Sequence, residues 1–121
     1  MQGYYELKLS ADEQAVLNLG TAGERTALLG RLIDQYAEQL GYMLQEYYSR
    51  EKVSKVKVVP DSIVAENPQS VTLKVMYVME EYNACSAVDT EIRTKMNLTA
   101  VVNDEAGLLG IKGEYWPRLE D

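Results

Sequence analysis

The stretch that decides the fold is IRTKMNLTAVVNDEAGLLGIKGEYW, residues 92–116. Its first half alternates apolar and polar residues, which is the period of a strand that buries one face. If the four residues DEAG form the loop of a hairpin, Val102 lies opposite Leu109 and Ala100 lies opposite Ile111, with the apolar partners on one side. A slip of one residue would destroy this match, so the pattern predicts the register as well as the hairpin.

The segment before the hairpin contains further strands with the same alternation. A strand over 71–81 has one apolar face, and another strand begins at residue 52 and is interrupted at Pro60, which cannot donate a backbone hydrogen bond. The first strand of the hairpin extends over about 86–102. Together these strands predict a four-stranded antiparallel meander. Its predicted inward residues are Val71, Leu73, Val75, Tyr77, Met79, Ile92, Met96, Leu98, Ala100 and Val102.

Two helix starts precede the strands. Ser10 and Thr21 are each followed three residues later by a glutamate, the spacing of a capping box, in which side chains satisfy the first free backbone N–H groups. We expect a short helix at 11–19 and a long helix at about 22–50. Apolar residues recur along the long helix on one arc, as they do in a helix packed along its length. They are Leu28, Leu29, Leu32, Ile33, Tyr36, Leu40, Met43, Leu44 and Tyr47.

The long helix contains four tyrosines, in a chain that has no phenylalanine and no histidine. Tyr36 and Tyr47 lie within the apolar arc, which favours a place in the core. Tyr42 projects from the polar face, and we expect it to be exposed. In an alternative interpretation, tyrosines line a ligand cavity between the helix and the sheet. The residues of that cavity would be Tyr36, Tyr47, Tyr77 and Tyr115.

These elements predict an α+β fold in which the four-stranded meander wraps one long helix, with the short helix beside it. A chain of 121 residues is long enough for one domain and too short for two. We place the domain at residues 10–116, between an N-terminal extension at 1–9 and a C-terminal tail at 117–121.

The strand segments also suggest a family. VSKVKVV, VTLKVMYV and KMNLTAVV would be successive strands and GIKGEYWP the closing one. Over residues 22–116 this order resembles the cystatin-like group of folds, including the nuclear transport factor 2-like superfamily, and most of all the extracytoplasmic domains of that shape in bacterial secretion and conjugation assemblies. The cystatin inhibitor loop Gln-Val-Val-x-Gly is missing, and Trp116 and Pro117 reverse the order of the late Pro-Trp pair, so the resemblance does not imply protease inhibition.

The composition argues against several classes of function. A net charge of -7 argues against nucleic-acid binding, which depends on clustered Lys and Arg. Lys52, Lys55 and Lys57 are expected to line the wet face of a strand. Without histidine, Ser-His-Asp and Cys-His nucleophile systems and His-dependent zinc sites are excluded. Cys85 is the only cysteine and is expected in a loop or at a strand end. We identify no catalytic, cofactor-binding or metal-binding residue, so an enzyme is the less favoured interpretation.

The start of the chain bears on its location. No apolar run reaches the length of a membrane span, and the first ten residues lack the basic and apolar regions of a signal peptide. The stretch QGYYELKLSADEQ is typical of a segment that follows a removed signal sequence or a membrane anchor. We therefore favour an extracytoplasmic location, in the periplasm or at the cell surface, over a cytoplasmic one.

The leading functional hypothesis is a non-enzymatic protein-interaction or assembly domain of the bacterial envelope. The strand at 71–81 also has two apolar residues, Met76 and Val78, on its other face. A strand that is apolar on both faces is normally covered on both, and the long helix can cover only one. The short helix at 11–19, a protein partner or a second copy of the chain must then cover the other face. The residues predicted for such an interface are Met76, Val78, Trp116 and Tyr42. The alternatives are a small-ligand-binding or enzymatic nuclear transport factor 2-like protein, and an immunity or inhibitor protein.

Overall fold

Antiparallel strands contain more residues than helices in this computed structural model, which describes residues 1–67, 69–83 and 88–117. The elements within these residues follow one another in a fixed order. They are β1 (Gln2–Lys8), α1 (Ala11–Leu19), α2 (Ala22–Gln35), α3 (Ala37–Gln45), β2 (Lys52–Val58), β3 (Val64–Asn67), β4 (Ser70–Asn83), β5 (Val88–Asn103) and β6 (Leu108–Tyr115).

The strands form one curled sheet in the order β1-β6-β5-β4-β2, and β3 pairs with β4 beyond the end of β2. All pairs are antiparallel. The helices fill the concave side, and α3 contacts both β1 and β2, the two edge strands. The core therefore lies between one face of the sheet and the helices, and its buried side chains come from both.

The prediction of one long helix wrapped by four strands is wrong. Residues 22–50 form two helices, because the chain leaves the helical conformation at Tyr36, whose φ is -104° and ψ is 21°. The apolar period continues across this break, since α2 buries Leu28, Leu29, Leu32 and Ile33 and α3 buries Leu40, Met43 and Leu44. Periodicity alone cannot detect a single non-helical residue when both helices pack against the same core.

The helix α3 ends at Gln45, before the predicted end at about residue 50, and the hydrogen bonds of the Gln45 side chain explain why. The amide nitrogen of Gln45 donates to the carbonyls of Glu51, at 2.6 Å, and Tyr48, at 3.3 Å. Its amide oxygen accepts from the backbone N–H of Val53 at 2.8 Å. Gln45 thereby satisfies backbone groups of the turn and of the start of β2, which directs the chain from α3 into the sheet.

The six-stranded sheet contains a strand that was not predicted. Residues 1–9 were expected to be an extension, but β1 pairs with β6 along its length, with Tyr5 opposite Ile111 and Leu7 opposite Leu109. Its alternation is hidden because the first inward position is Gly3, which is buried but contributes no apolar side chain.

Other parts of the strand prediction are confirmed. Val102 pairs with Leu109 and Ala100 with Ile111, as the hairpin pattern required. The interruption at Pro60 separates β2 from β3, which pair with successive parts of β4. Both capping boxes form, at Ser10 and Thr21. Ile92 is an exception, since it was predicted to face the core and is 43% exposed.

Gly3 of β1 and Gly113 of β6 leave room for the side chain of Tyr47 where these two strands meet. A Cβ on Gly3 would lie 2.9 Å from both the Met43 Cγ and the Tyr47 Cε1 atoms, and a Cβ on Gly113 would overlap the Tyr47 hydroxyl oxygen. By contrast, a Cβ on Gly30 in α2 would meet no atom within 4 Å. A side chain added at Gly3 or Gly113 is therefore expected to lower the stability of the fold, whereas one added at Gly30 is not.

We expect Gly113→Ala to lower the free energy of unfolding by about 1–3 kcal/mol, because the added methyl group overpacks against Tyr47. Gly30→Ala is the matched control and should raise it by up to about 1 kcal/mol, since alanine is the better helix former. Denaturant melts of both variants measure the difference. Equal effects of the two substitutions would contradict the close contact between β6 and Tyr47.

Candidate functional site: the outer face of the sheet

The tyrosines proposed to line a cavity are divided among three places. Tyr47 and Tyr77 join a cluster with Tyr48 and Trp116, hereafter the aromatic cluster. Tyr36 lies apart from it and packs against Tyr5, with ring centroids 6.2 Å apart. Tyr115 is 69% exposed. The structure therefore brings together only two of the four residues.

The rings of the aromatic cluster join the turn after α3, which contains Tyr47 and Tyr48, to Tyr77 of β4 and to Trp116, which follows β6. The Trp116 ring meets Tyr47 edge-on with centroids 4.8 Å apart, and meets Tyr48 edge-on at 5.6 Å. Tyr48 in turn packs against Tyr77 at 6.1 Å. Such contacts stabilise an aromatic core beyond the area that they bury.

Every hydroxyl group of the cluster has a partner within the chain. The Tyr47 hydroxyl accepts from the backbone N–H of Gly3 at 2.7 Å and donates to the Glu114 carbonyl at 2.6 Å. The Tyr48 and Tyr77 hydroxyl oxygens are 2.6 Å apart, and either can donate. These groups are used to hold the structure together, so they offer no unpaired polar atom to a ligand.

The opposite face of the sheet, which points away from the helices and is called the outer face here, has a different chemistry. Met76 and Val78 of β4 are half-buried at its centre. The strand register places Met76 between Lys57 of β2 and Lys95 of β5, and places Val78 beside Arg93. The three cations are exposed, so two apolar side chains lie within a frame of positive charge.

Charge on this face is unevenly distributed. The outward cationic positions of β2, β4 and β5 are Lys52, Lys57, Lys74, Arg93 and Lys95. Among the residues whose side chains the structure describes, the carboxylates at outward positions of the same strands are Glu80 and Glu91, which face each other near one end of the β4–β5 pair. Among the residues that the structure describes, no carboxylate forms an ion pair with the cations around Met76.

Nothing in the described part of the chain covers the outer face. The short helix α1 packs elsewhere, with Leu17 buried in the core. Its Gln14 and Asn18 side chains donate to Asp104 in the β5–β6 loop. Its Leu19 is 87% exposed. The short helix, one of the covers considered from the sequence, therefore does not lie over Met76 and Val78.

A shallow groove of about 290 Å³ runs over this face, and its lining residues include Met76 and Val78, the cations Lys57 and Arg93, and one carboxylate, Glu91. Lys55 stands at its edge, where the β2–β4 register shifts between Ser54 and Lys57. The φ of Lys55 is 54°, a left-handed conformation that costs a non-glycine residue about 1–2 kcal/mol. The bulge thus displaces the end of β2 and adds a further cation to the groove.

The remaining predicted interface residues lie away from this groove. Trp116 belongs to the aromatic cluster and is half-buried, with its indole N–H donating to the Glu114 carboxylate at 3.0 Å. Tyr42 is 66% exposed on α3, on the helical side of the sheet. The cations Lys57, Arg93 and Lys95 were not among the predicted site residues. Their signal was present as polar positions in three alternating segments, but only the pairing of the strands places them together.

Burial raises the pKa of the Tyr77 hydroxyl, and the hydrogen bond with Tyr48 raises it further. Burial also raises the pKa values of Tyr47 and Tyr48. The folded state therefore holds these protons more tightly than the unfolded state does. The resulting stability is fully present below the ordinary tyrosine pKa of about 10 and is lost as the pH rises above it.

We therefore expect the protein to unfold in alkali, with ionisation of the cluster tyrosines coinciding with the loss of structure. Tyrosinate absorbance reports ionisation, and circular dichroism at the same pH values reports the fold. The same titration in denaturant is the control, since all nine tyrosines are then accessible to water. Ionisation of all nine with the fold intact would contradict the packing of the aromatic cluster.

Comparisons with known proteins give no relative. No protein-family model matches the chain, and neither the curated proteins nor the solved structures yielded a match. The resemblance to cystatin-like and nuclear transport factor 2-like proteins thus stays a prediction. None of the described helices is long and apolar enough to cross a membrane. The described residues contain no group of three or more Asp, Glu, Cys or His side chains placed to hold a metal ion. Cys85 lies outside the described residues.

Proposed function

We propose that this chain is a non-enzymatic protein-interaction domain that binds an acidic protein surface on the outer face of its sheet. The observation that carries the proposal is the half-buried pair Met76 and Val78 within a frame of cations that have no ion-pair partner among the described residues. Interfaces commonly combine an apolar centre with a charged rim, and the rim selects the partner by charge.

The charge pattern defines the partner further. Symmetric association through the outer face would place Lys57, Arg93 and Lys95 of one chain against the same cations of another, and like charges at an interface are unfavourable. A nucleic acid is also disfavoured, since Glu91 lines the groove beside the cations and Glu80 lies opposite Glu91 on the same face. A protein with carboxylates around an apolar or aromatic anchor fits both the rim and the centre.

The other functional hypotheses have less support. The ligand-binding or enzymatic alternative relied on a tyrosine cavity, whereas Tyr47 and Tyr77 pack against neighbouring rings and use their hydroxyl groups within the chain. An immunity or inhibitor protein would also act through an interface, so it is a special case of the proposed function. An extracytoplasmic location remains the expectation from the sequence.

A random copolymer of glutamate and tyrosine is a suitable probe, because it offers carboxylates and aromatic anchors without a fixed structure. We expect it to bind the wild-type protein, and to bind Lys95→Glu about tenfold more weakly, a difference of about 1.4 kcal/mol. Arg31→Glu, on the exposed side of α2, changes the net charge by the same amount and should leave binding nearly unchanged. Titration calorimetry at low ionic strength measures all three, since salt screens exposed charges.

Two further variants separate binding from folding. Lys55→Gly removes a cation at a position whose positive φ suits glycine, so it should weaken binding without destabilising the protein. Val78→Thr keeps the branched shape but removes an apolar contact at the centre. The proposal fails if the copolymer does not bind, or if Lys95→Glu and Arg31→Glu weaken its binding equally.

A further inference from the structure

The helical side of the molecule presents a surface of the opposite charge. Glu38 and Tyr42 lie one turn apart on α3, Asp34 lies near the end of α2, Glu46 directly follows α3, and all four are exposed. They are called the acidic ridge here. The Tyr42 hydroxyl donates to a Glu38 carboxylate oxygen at 2.9 Å, which holds the exposed ring against the helix.

The acidic ridge is raised above the surface beside it. A groove of about 450 Å³ lies between it and β2, and it is lined by Glu38 and Tyr42 on the ridge side and by Lys52 and Lys55 on the β2 side. A second groove, of about 200 Å³, lies towards β1, and Tyr42 also lines it. An exposed aromatic ring between two grooves and among carboxylates is a projecting surface, whereas the outer face of the sheet offers a shallow groove with an apolar floor.

The two surfaces are complementary in charge and in shape. The ridge has an aromatic residue flanked by Glu38 and Glu46, and the outer face has Met76 and Val78 flanked by cations. Aromatic residues are the usual anchors of interfaces, and opposite charges around them fix the orientation of the partners. Within one chain the ridge cannot reach Met76, because α3 packs on the concave side of the sheet and Met76 lies on the outer face, with Lys55 of β2 lining the grooves on both sides.

We propose that the acidic partner of the outer face is the acidic ridge of a second copy of this chain. This inference rests on the proposed function and names its partner. The contact is head-to-tail, because each copy uses a different surface from its neighbour, so every contact leaves one ridge and one outer face unoccupied. Heterologous contacts of this kind close into rings or continue as filaments.

Two variants that each block one surface test the proposal. Glu38→Lys reverses a charge on the ridge, and Val78→Lys puts a further cation in place of an apolar residue of the outer face, so that the two altered surfaces repel each other. At high protein concentration and low ionic strength, we expect the wild type to form species larger than a dimer and each variant alone to remain monomeric. The equimolar mixture should form a heterodimer of twice the chain mass and no larger species, since only one intact ridge and one intact outer face can meet.

Light scattering coupled to size exclusion measures the masses, and circular dichroism shows whether each variant is folded. Asp12→Lys on α1 changes the charge as Glu38→Lys does, at an exposed position away from the ridge, and should still assemble. Tyr42→Ala removes the anchor from an exposed position and should reduce assembly without unfolding. A wild type that stays monomeric, or variants that assemble as the wild type does, would overturn the inference.

Failure of the head-to-tail contact can be told apart from failure of the proposed function by comparing copolymer binding with self-assembly. If the glutamate–tyrosine copolymer binds the outer face but the wild type remains monomeric, the acidic partner is a different protein and only the head-to-tail contact is wrong. If the copolymer does not bind and the protein remains monomeric, both proposals are wrong. Assembly of a mixture of the two variants that continues beyond the dimer would also overturn the head-to-tail arrangement.

Discussion

The pairing of the first strand with the last is the constraint on which the rest of the structure depends. β1 precedes all three helices and β6 closes the chain, so their pairing joins the two ends of the described structure into one sheet. Tyr47 reinforces it, since its hydroxyl accepts from Gly3 of β1 and donates to Glu114 of β6. With both edges of the curled sheet brought towards α3, the helices have one place to pack, which is the concave side.

This arrangement explains why one face of the sheet is left without a cover in the described chain. An antiparallel sheet can expose one face to water when that face is polar. Here the exposed face is polar at its margins, but Met76 and Val78 interrupt it at the centre, and the surrounding charges are mainly positive. The net charge of -7 conceals this pattern, because five of the acidic residues lie on the helices, which pack on the other side of the sheet. The charge of the whole chain thus describes neither surface.

The structure also accounts for the use of tyrosine in a chain without phenylalanine. In the aromatic cluster each ring packs against a neighbour. The Tyr47 hydroxyl has hydrogen-bond partners in β1 and β6, and the Tyr48 hydroxyl has its partner in Tyr77 of β4. A buried hydroxyl without a partner would cost free energy, whereas a paired one fixes the relative positions of two elements. The tyrosines thus contribute both packing and orientation where the ends of the sheet meet.

Some of this organisation follows from the sequence by itself. The alternation around Ala100 determined the hairpin and its register, and the capping boxes at Ser10 and Thr21 determined where two helices begin, since both signals depend on neighbouring residues only. The sequence also located Met76 and Val78 on the outer face. It did not locate the break at Tyr36, because an apolar period continues through it, nor β1, where Gly3 makes room for a distant ring. The frame of Lys57, Arg93 and Lys95 was decided by the tertiary structure alone, because these residues come from β2 and β5, and only their pairing on either side of β4 makes them neighbours.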